Sequence, residues 1–410
     1  LNSVVRRLDL VEHKPLELPA GMLSIEEARS IVEKAQGKVK VQPPSGLASD
    51  SWVLTSTGWV GHLPVTPELS VVIQPKVPVA NLFSMVEVAY RLDRKLTGLE
   101  FPYGRPISCE TVDDLFDRLA RILANGTLFR LKRGLHREYL SREEDLPFVR
   151  GSLDIRPLVR KGVTAAIRCR FQELTPDVAD NQILLWTLRR ITRSAFTTDE
   201  TRAAVRQAVR AMGGAVAVEP FRGADCRDRF YSRLNLDYEP LHGLCRFFLD
   251  GEGPACAVGE ETMVPFLVDM DRLFERFVAE WLTDALETLA PGRFSISRQV
   301  GKEIDSERRV CATMDILIRD RRTGRAVAVL DTKYKNTDTP DTGDIYQVNA
   351  YADLIGTKNA FLVYPNTRPA GYRATLGGTR VLALAFDLGG DLEQAGRLLV
   401  DDLLKEIENR

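Results

Sequence analysis

Residues 312–319 read Ala-Thr-Met-Asp315-Ile-Leu-Ile-Arg319. After the turn Arg321-Arg-Thr-Gly324 the chain continues Ala326-Val-Ala-Val-Leu-Asp331-Thr-Lys333-Tyr-Lys335. Both apolar runs have strand length, and the glycine-bearing turn between them predicts a hairpin within a sheet. Antiparallel pairing brings Asp315, expected at the start of one strand, to the same end as Asp331, expected at the end of the other. Asp331 and Lys333 are two residues apart, so both project from one face of their strand. Two convergent carboxylates offer hard oxygen ligands to Mg²⁺, which keeps waters in its shell and also binds phosphate. A lysine beside them stabilises developing negative charge and helps hold or deprotonate the attacking water. The pattern predicts phosphodiester hydrolysis with Asp315, Asp331 and Lys333 as the catalytic set. An Asp-x-Lys pair alone is common at strand ends; the weight here comes from the run Val327 to Leu330, which delivers both charges to the mouth of a sheet.

The flanking segments extend the constellation. Phe274, Phe277, Val278, Trp281, Leu282, Ala285 and Leu289 recur at helical spacing and mark a helix with one apolar stripe. Glu275 borders that stripe, either turned toward the aspartates or standing as a solvated flank. Downstream, Gln347 and Tyr351 fall four apart and share one face of a helix around residues 344–353, with plain helix packing as the alternative. Lys335 is a candidate phosphate contact.

The chain has 410 residues and 44% apolar composition, enough for two or three domains with their own cores. Its 56 basic and 57 acidic residues nearly cancel, so any DNA contact must come from a local patch. Leu1 to Lys14 mix charges among apolar residues and lack the core of a secretory signal. No stretch approaches the roughly 18 uncharged apolar residues of a membrane span. Six cysteines without a CxxC pair argue against a disulfide framework or zinc ribbon. The expected compartment is the cytoplasm, with no membrane partner. His13, His62, His136 and His242 show no metal spacing. There is no GxxxxGK[ST] loop, so NTP energy, where needed, must come from another polypeptide.

The fold class expected is α+β and multidomain: a β-rich N-terminal domain over residues 1–105, a mainly helical middle region over 106–265, and a C-terminal α/β domain over 266–410 with a central mixed sheet. The N-terminal strands are read from Val4-Val5, Trp52 to Thr55, Trp59 to Leu63 and Val71 to Ile73. One helix interrupts them, where Ser24 and Glu27 form a capping box and Ala28, Ile31, Val32 and Ala35 follow at helical spacing. Helical patterns run near 80–96 and 112–133, and Arg137 to Asp145 reads as a loop or hairpin projecting from the body. The middle region carries a strand-like Ala165 to Phe171, helices near 180–193 and 200–212, and a loop at Gly251-Glu-Gly-Pro254.

The Asp315 and Asp331-Thr-Lys333 arrangement resembles the PD-(D/E)xK nuclease core. The chain as a whole resembles the McrC family, the nuclease subunits of McrBC-type (type IV) modification-dependent restriction systems. The similarity begins with Gly58-Trp-Val-Gly61, Val72-Ile-Gln-Pro75-Lys76 and Asn81-Leu-Phe. It continues through Val149-Arg-Gly151-Ser-Leu-Asp154, Phe171-Gln-Glu-Leu-Thr-Pro-Asp177, Asp180-Asn181 and Leu236-Asp-Tyr238, and ends with Leu273-Phe-Glu275-Arg-Phe277 and the two aspartate blocks.

That resemblance implies a restriction-endonuclease-like C-terminal domain, Mg²⁺ as cofactor, Asp315 and Asp331 as metal ligands and Lys333 as the catalytic lysine. In similar nucleases a glutamate on the first helix, here Glu275, assists the metal. A Gln-x-x-x-Tyr helix, here Gln347 to Tyr351, lies beside the active site and the DNA in RecB-like nucleases. Met314 stands where a proline often precedes the first aspartate, a position that shapes the strand rather than the chemistry. The resemblance further implies a hexameric McrB-like AAA+ GTPase partner that reads modified cytosine in double-stranded DNA and translocates it, with its GTPase stimulated by the N-terminal part of this chain. A double-strand break needs two cuts, which dimerisation of the complex through its nuclease subunits would supply. Two competing readings are a non-cleaving adaptor that activates the motor and a standalone RecB-like repair nuclease. The intact Asp315, Asp331 and Lys333 speak against the first, and the long N-terminal region against the second.

Overall fold

The computed structural model describes residues 6–44, 50–92, 110–153, 166–194, 196–251, 256–258, 261–263, 265–303 and 311–408. In chain order these form β1 (Arg6–Val11), β2 (Leu16–Pro19), α1 (Ile25–Ala35), β3 (Val39–Gln42), β4 (Ser51–Ser56), β5 (Trp59–Thr66), β6 (Leu69–Gln74), α2 (Val79–Ala89) and α3 (Val112–Arg133). Next come β7 (Glu138–Leu146), β8 (Ser152–Leu153), β9 (Ile167–Thr175), α4 (Ala179–Ile191), α5 (Asp199–Met212) and α6 (Tyr238–Asp250). The chain ends with β10 (Cys256–Val258), β11 (Glu261–Met263), β12 (Phe266–Asp269), α7 (Met270–Leu289), β13 (Phe294–Glu303), β14 (Cys311–Asp320), β15 (Ala326–Thr332), α8 (Thr342–Ile355), β16 (Asn359–Tyr364), β17 (Arg373–Leu376), β18 (Thr379–Ala385) and α9 (Leu392–Glu408). Two compact units result. One comprises Leu1–Asp93, Tyr103–Phe116 and Gly251–Arg410, and the other Arg94–Pro102 and Asp117–Asp250.

The first unit joins both ends of the chain, where the sequence predicts separate domains over 1–105 and 266–410. The reason is one short strand: β12 pairs antiparallel with β5 and completes the sheet β1-β6-β5-β12. Gly61 permits that approach. Its φ is +143°, and a Cβ there would lie 2.1 Å from the Phe266 carbonyl oxygen. The capping box forms as expected, with the Glu27 N–H on Ser24 Oγ at 3.2 Å and the Ser24 N–H on the Glu27 carboxylate at 2.8 Å. Ala28, Ile31 and Ala35 of α1 are buried with Leu10, Leu54 and Leu63, whereas Val32 faces solvent. Val4-Val5 lie outside the described residues.

The second unit contains more sheet than the sequence predicts. Glu138–Leu146 is a strand paired along its whole length with Ile167–Thr175, and β8 flanks β9 on the other side. Both faces of β7 are polar, so no apolar alternation betrays it; cross-strand pairs such as Arg170–Glu143 at 2.6 Å and Arg142–Glu173 at 3.4 Å hold it instead. Helices α4 and α5 fall where their periodicity places them. Asp154, Ala165 and the interior of the Gly251–Pro254 loop lie outside the described residues.

A buried polar network ties α4 to α6. Asp180 accepts from Arg229 at 2.5 and 3.0 Å and from Asn235 at 3.0 Å. Asn181 donates to the His136 and Pro176 carbonyls and accepts from the Tyr238 hydroxyl at 2.5 Å. His242 bridges the Asp180 carbonyl and Tyr231, each at 2.9 Å. Full pairing of this kind is what makes buried polar groups tolerable.

The C-terminal sheet is mixed, with order β13-β14-β15-β16-β18-β17. Strands β13, β14 and β15 run antiparallel; β15, β16 and β18 run parallel; β17 closes the edge antiparallel. Helix α8 supplies the crossover that parallel β15 and β16 require, burying Val348 and Ala352 against Val329, Ala360 and Leu362. The alternate residues Leu330, Phe361 and Val363 are fully buried on the other face, the side of α7 and α9. There Phe277 and Trp281 pack on Phe386 at 4.7 and 5.3 Å between ring centres. Leu289, expected in the α7 stripe, is instead 56% exposed, at the last residue of the helix.

Candidate active site

Asp315 does not begin its strand, because residues 311–314 are already paired with β13. It sits at mid-strand. The β14–β15 register sets Ile316 opposite Leu330, so the next step places Asp315 across from Asp331. Lys333 lies one residue past β15, where its N–H still bonds the Val363 carbonyl of β16 at 2.9 Å. A cleft of about 290 Å³ at this end of the sheet is lined by Asp271, Glu275, Asp315, Asp331, Lys333 and Gln347, together with Tyr351. All five residues expected at the site thus meet in one cleft. Glu275 is half-buried on its wall, not a solvated flank.

Each charge has a distinct setting. One oxygen of Asp315, Oδ2, takes both the backbone N–H and the hydroxyl of Thr332, at 2.8 and 2.9 Å. Asp331 is 3% exposed. Lys333 Nζ forms an ion pair with its Oδ2 at 2.7 Å, and among the described residues that buried oxygen has no donor in hydrogen-bonding geometry. Burial, and then the charge of Asp315, push Asp331 up to about 6 against the pull of Lys333. Burial works against the Lys333 ammonium, but Asp331 and then Asp344 outweigh it and hold its pKa above the usual lysine value. Burial and Asp315 push Glu275 up to about 7, while Gln299 Nε2 donates to its Oε1 at 2.5 Å. Gln347 accepts from Lys333 at 3.0 Å and donates to the Tyr351 hydroxyl at 2.8 Å. Lys335 is held by Asp341 and Asp344 at 2.6 and 2.7 Å, at the start of α8.

Several site residues escape sequence reasoning. Thr332 was only the middle of Asp-x-Lys. Gln299 carries φ +48° and stands where the β13–β14 ladder skips, directly opposite Asp315; a non-glycine residue in that region marks a position over-determined by its surroundings. Behind the cleft, the buried Tyr334 gives its hydroxyl to Glu12 at 3.2 Å, and Lys76 lies 3.7 Å over its ring with Nζ 3.3 Å from its carbonyl oxygen. Burial lowers the Lys76 pKa although Glu12 and Asp271 oppose the shift. The signal for this support was present in Gln-Pro75-Lys76, but nothing in the sequence said what the lysine touches.

Among the described residues, one group of three candidate ligands has its donor atoms within 4.8 Å of one another: His136, Glu138 and Asp180, in the second unit. Both Asp180 oxygens are already taken by Arg229 and Asn235, so the group belongs to the polar network described above. No helix among the described residues is long and apolar enough to cross a membrane.

Residues 54–365 match the family model described as McrBC 5-methylcytosine restriction system component. The chain belongs to this family, as a McrC-type member. The type IV methyl-directed restriction enzyme EcoKMcrBC of Escherichia coli (strain K12) is 22% identical over 347 residues, 77% of this chain and 94% of that protein. A refined half-complex from a tetradecameric assembly of Thermococcus gammatolerans McrB AAA+ hexamers with bound McrC contains a chain of the same fold. It is 19% identical with a TM-score of 0.55, over 98% of this chain and all of that one.

For a McrC-type chain, several of the segments quoted above prove to be structural ties. Gly61 admits β12 to the N-terminal sheet. Asn81 of α2 donates to the Leu388 and Gly390 carbonyls, both at 2.9 Å, ahead of α9. Lys76 supports Tyr334, and Asp180-Asn181 with Tyr238 form the polar network of the second unit.

Proposed function

We propose that this McrC-type protein is the endonuclease subunit of a modification-dependent restriction complex and hydrolyses DNA phosphodiesters at the cleft of Asp315, Asp331 and Lys333. The observation that carries the reading is the pairing of two carboxylates across β14 and β15 with a lysine at ion-pair distance from one of them. The order α7, antiparallel β13-β14-β15, α8, parallel β16 suits a PD-(D/E)xK nuclease, with Asp315 and Asp331 on the two strands that such a site uses.

The donor set fits a divalent cation. Asp315 accepts both Thr332 bonds at Oδ2, leaving Oδ1 without a donor among the described residues, and the buried Oδ2 of Asp331 is met there by the Lys333 ammonium alone, as an ion pair at 2.7 Å. Mg²⁺ takes one or two carboxylates and fills its shell with water and phosphate. Asp315 and Asp331 would hold it, with Glu275 as a third carboxylate on the wall. When bound, Mg²⁺ neutralises phosphate charge and acidifies a water. Lys333, kept protonated by Asp331, stabilises charge that develops on the phosphate oxygens. Gln347 fixes the position of the Lys333 ammonium, and Thr332 fixes Asp315. Ahead of metal binding, burial and the charge of Asp315 push Glu275 up to about 7, and a bound cation would relieve that repulsion.

The Escherichia coli relative is a methyl-directed restriction enzyme, and the Thermococcus gammatolerans structure holds McrB AAA+ hexamers with bound McrC. Carried to this chain, these relations give a hexameric McrB-like AAA+ GTPase as partner, double-stranded DNA with modified cytosine as substrate, cleavage after GTP-driven translocation, and stimulation of the partner's GTPase, all in the cytoplasm. The test is cleavage of a methylated plasmid with the partner ring, GTP and Mg²⁺. Wild type should cut and Asp331→Ala should not. Equal cutting by both would end the assignment, and GTPase stimulation without any cutting by wild type would leave an adaptor.

A further inference from the structure

The nearly neutral chain carries a concentrated basic feature in its second unit. Between Arg189 and Arg210 the sequence has six arginines and only two carboxylates, Asp199 and Glu200. Asp199 is taken by Arg202 at 3.2 Å and Glu200 by Arg121 at 3.5 Å. A groove of about 390 Å³ between the C-terminal ends of α4 and α5 is lined by Arg189, Thr192, Arg193, Arg206, Val209 and Arg210, with no carboxylate. All four of these arginines are exposed, and none makes a side-chain hydrogen bond or ion pair among the described residues. The helix dipole accounts for a cation at the end of α4 or of α5 singly. It does not account for Arg193 and Arg206, nor for the convergence of four guanidinium groups, which repel one another unless an anion lies between them.

We infer that this groove binds the sugar–phosphate backbone of double-stranded DNA, apart from the cleft of Asp315, Asp331 and Lys333. The chemistry favours phosphate over carboxylate side chains. Every cation is an arginine, whose planar fork presents two parallel N–H donors to a phosphate. Arg206 and Arg210 lie one helical turn apart on α5, about 6 Å along its axis, and across the groove stand Arg189, in the last turn of α4, and Arg193, in the turn just past it. Guanidinium groups on both sides of one groove match the regularly repeated charges of a nucleic-acid strand. Thr192 and Val209 offer no base-reading donors or acceptors beyond one hydroxyl, so the contact is independent of sequence. The identity of the ligand rests on the nuclease reading above; the groove itself does not.

The experiment is fluorescence anisotropy of a labelled 30-base-pair duplex titrated with the full chain over a range of salt concentrations. Two variants accompany wild type: Arg189→Gln/Arg193→Gln/Arg206→Gln/Arg210→Gln and the corresponding four-lysine variant. Each neutralised phosphate contributes about 0.9 to the slope of log affinity against log salt. The four-glutamine variant should bind at least ten times more weakly at about 50 mM salt and lose about 3 from the slope. The four-lysine variant should keep most of the slope. Unchanged affinity and slope in the four-glutamine variant, or no binding by wild type at low salt, overturns the inference. So does competition by poly-glutamate that duplex cannot match, which would make the groove a site for an acidic protein. The nuclease reading fails separately, by plasmid cleavage that survives Asp331→Ala.

Discussion

Thr332 binds Asp315 twice: its backbone N–H and its hydroxyl both reach the same carboxylate oxygen, at 2.8 and 2.9 Å. The residue between the aspartate and the lysine of Asp-x-Lys therefore orients the other aspartate, on the neighbouring strand. Thr332→Val keeps the backbone bond and the side-chain shape but removes the hydroxyl. Loss of one hydrogen bond to a charged group is worth about 1.5–3 kcal/mol, so cleavage should fall by roughly ten- to a hundredfold. Thr332→Ser should restore most of it. Plasmid cleavage with matched thermal melts distinguishes misorientation from unfolding.

Tyr334 supports the same strand end from behind. Tyr334→Phe removes the hydroxyl that serves Oε2 of the buried Glu12, leaving that oxygen the longer bond from the Lys76 backbone N–H at 3.4 Å. Urea unfolding should show a loss of about 1–2 kcal/mol, the worth of one hydrogen bond to a buried carboxylate. An unchanged midpoint would mean that Glu12 is satisfied in another way.

Gly61→Ala tests the junction of the two chain ends. The added methyl would meet the Phe266 carbonyl oxygen at 2.1 Å, on a backbone with φ +143°. Strand β12 must shift or leave the sheet, and a loss of about 3 kcal/mol or more is expected in urea unfolding. A variant as stable as wild type would show that β12 does not depend on this close approach.

His242 gives the second unit a dependence on pH. Burial lowers its pKa to about 4, only partly offset by the Asp180 carbonyl and carboxylate. The unfolded chain, with a histidine near 6.5, binds a proton before the folded one does. Its contribution to stability is present above pH 6.5 and is lost as pH falls through 6.5 toward 4, on the order of 3 kcal/mol in all. His242→Gln should flatten that part of the pH profile relative to wild type. Parallel profiles between pH 4 and 7 would contradict the buried neutral imidazole.

The sequence made legible those parts of the fold where local chemistry repeats. The capping box at Ser24 and Glu27, the periodicity of α4, α5 and α7, and the hairpin joining Asp315 to Asp331 could all be read directly. Glu275 and Gln347 were placed on the right helices but left open between the cleft and plain packing. Interactions remote in sequence stayed hidden. β7 is held by cross-strand charges without apolar alternation, and β12 joins a sheet whose other strands all lie within the N-terminal part of the chain, Arg6 to Gln74. Thr332, Gln299 and the Lys76–Tyr334–Glu12 support act through contacts between strands and helices, for which one sequence carries no period or spacing.

The central claim is most directly tested by linearisation of a methylated plasmid in the presence of Mg²⁺, GTP and the partner ring, with wild type and Lys333→Ala compared and GTP hydrolysis followed in the same tubes. Removing a charge-stabilising group should lower cleavage by on the order of 10² or more. Stimulation of GTP hydrolysis should be unchanged, because Lys333 binds Asp331 and Gln347 inside the cleft. A Lys333→Ala protein that cuts as fast as wild type would contradict the assignment of the cleft as the nuclease site.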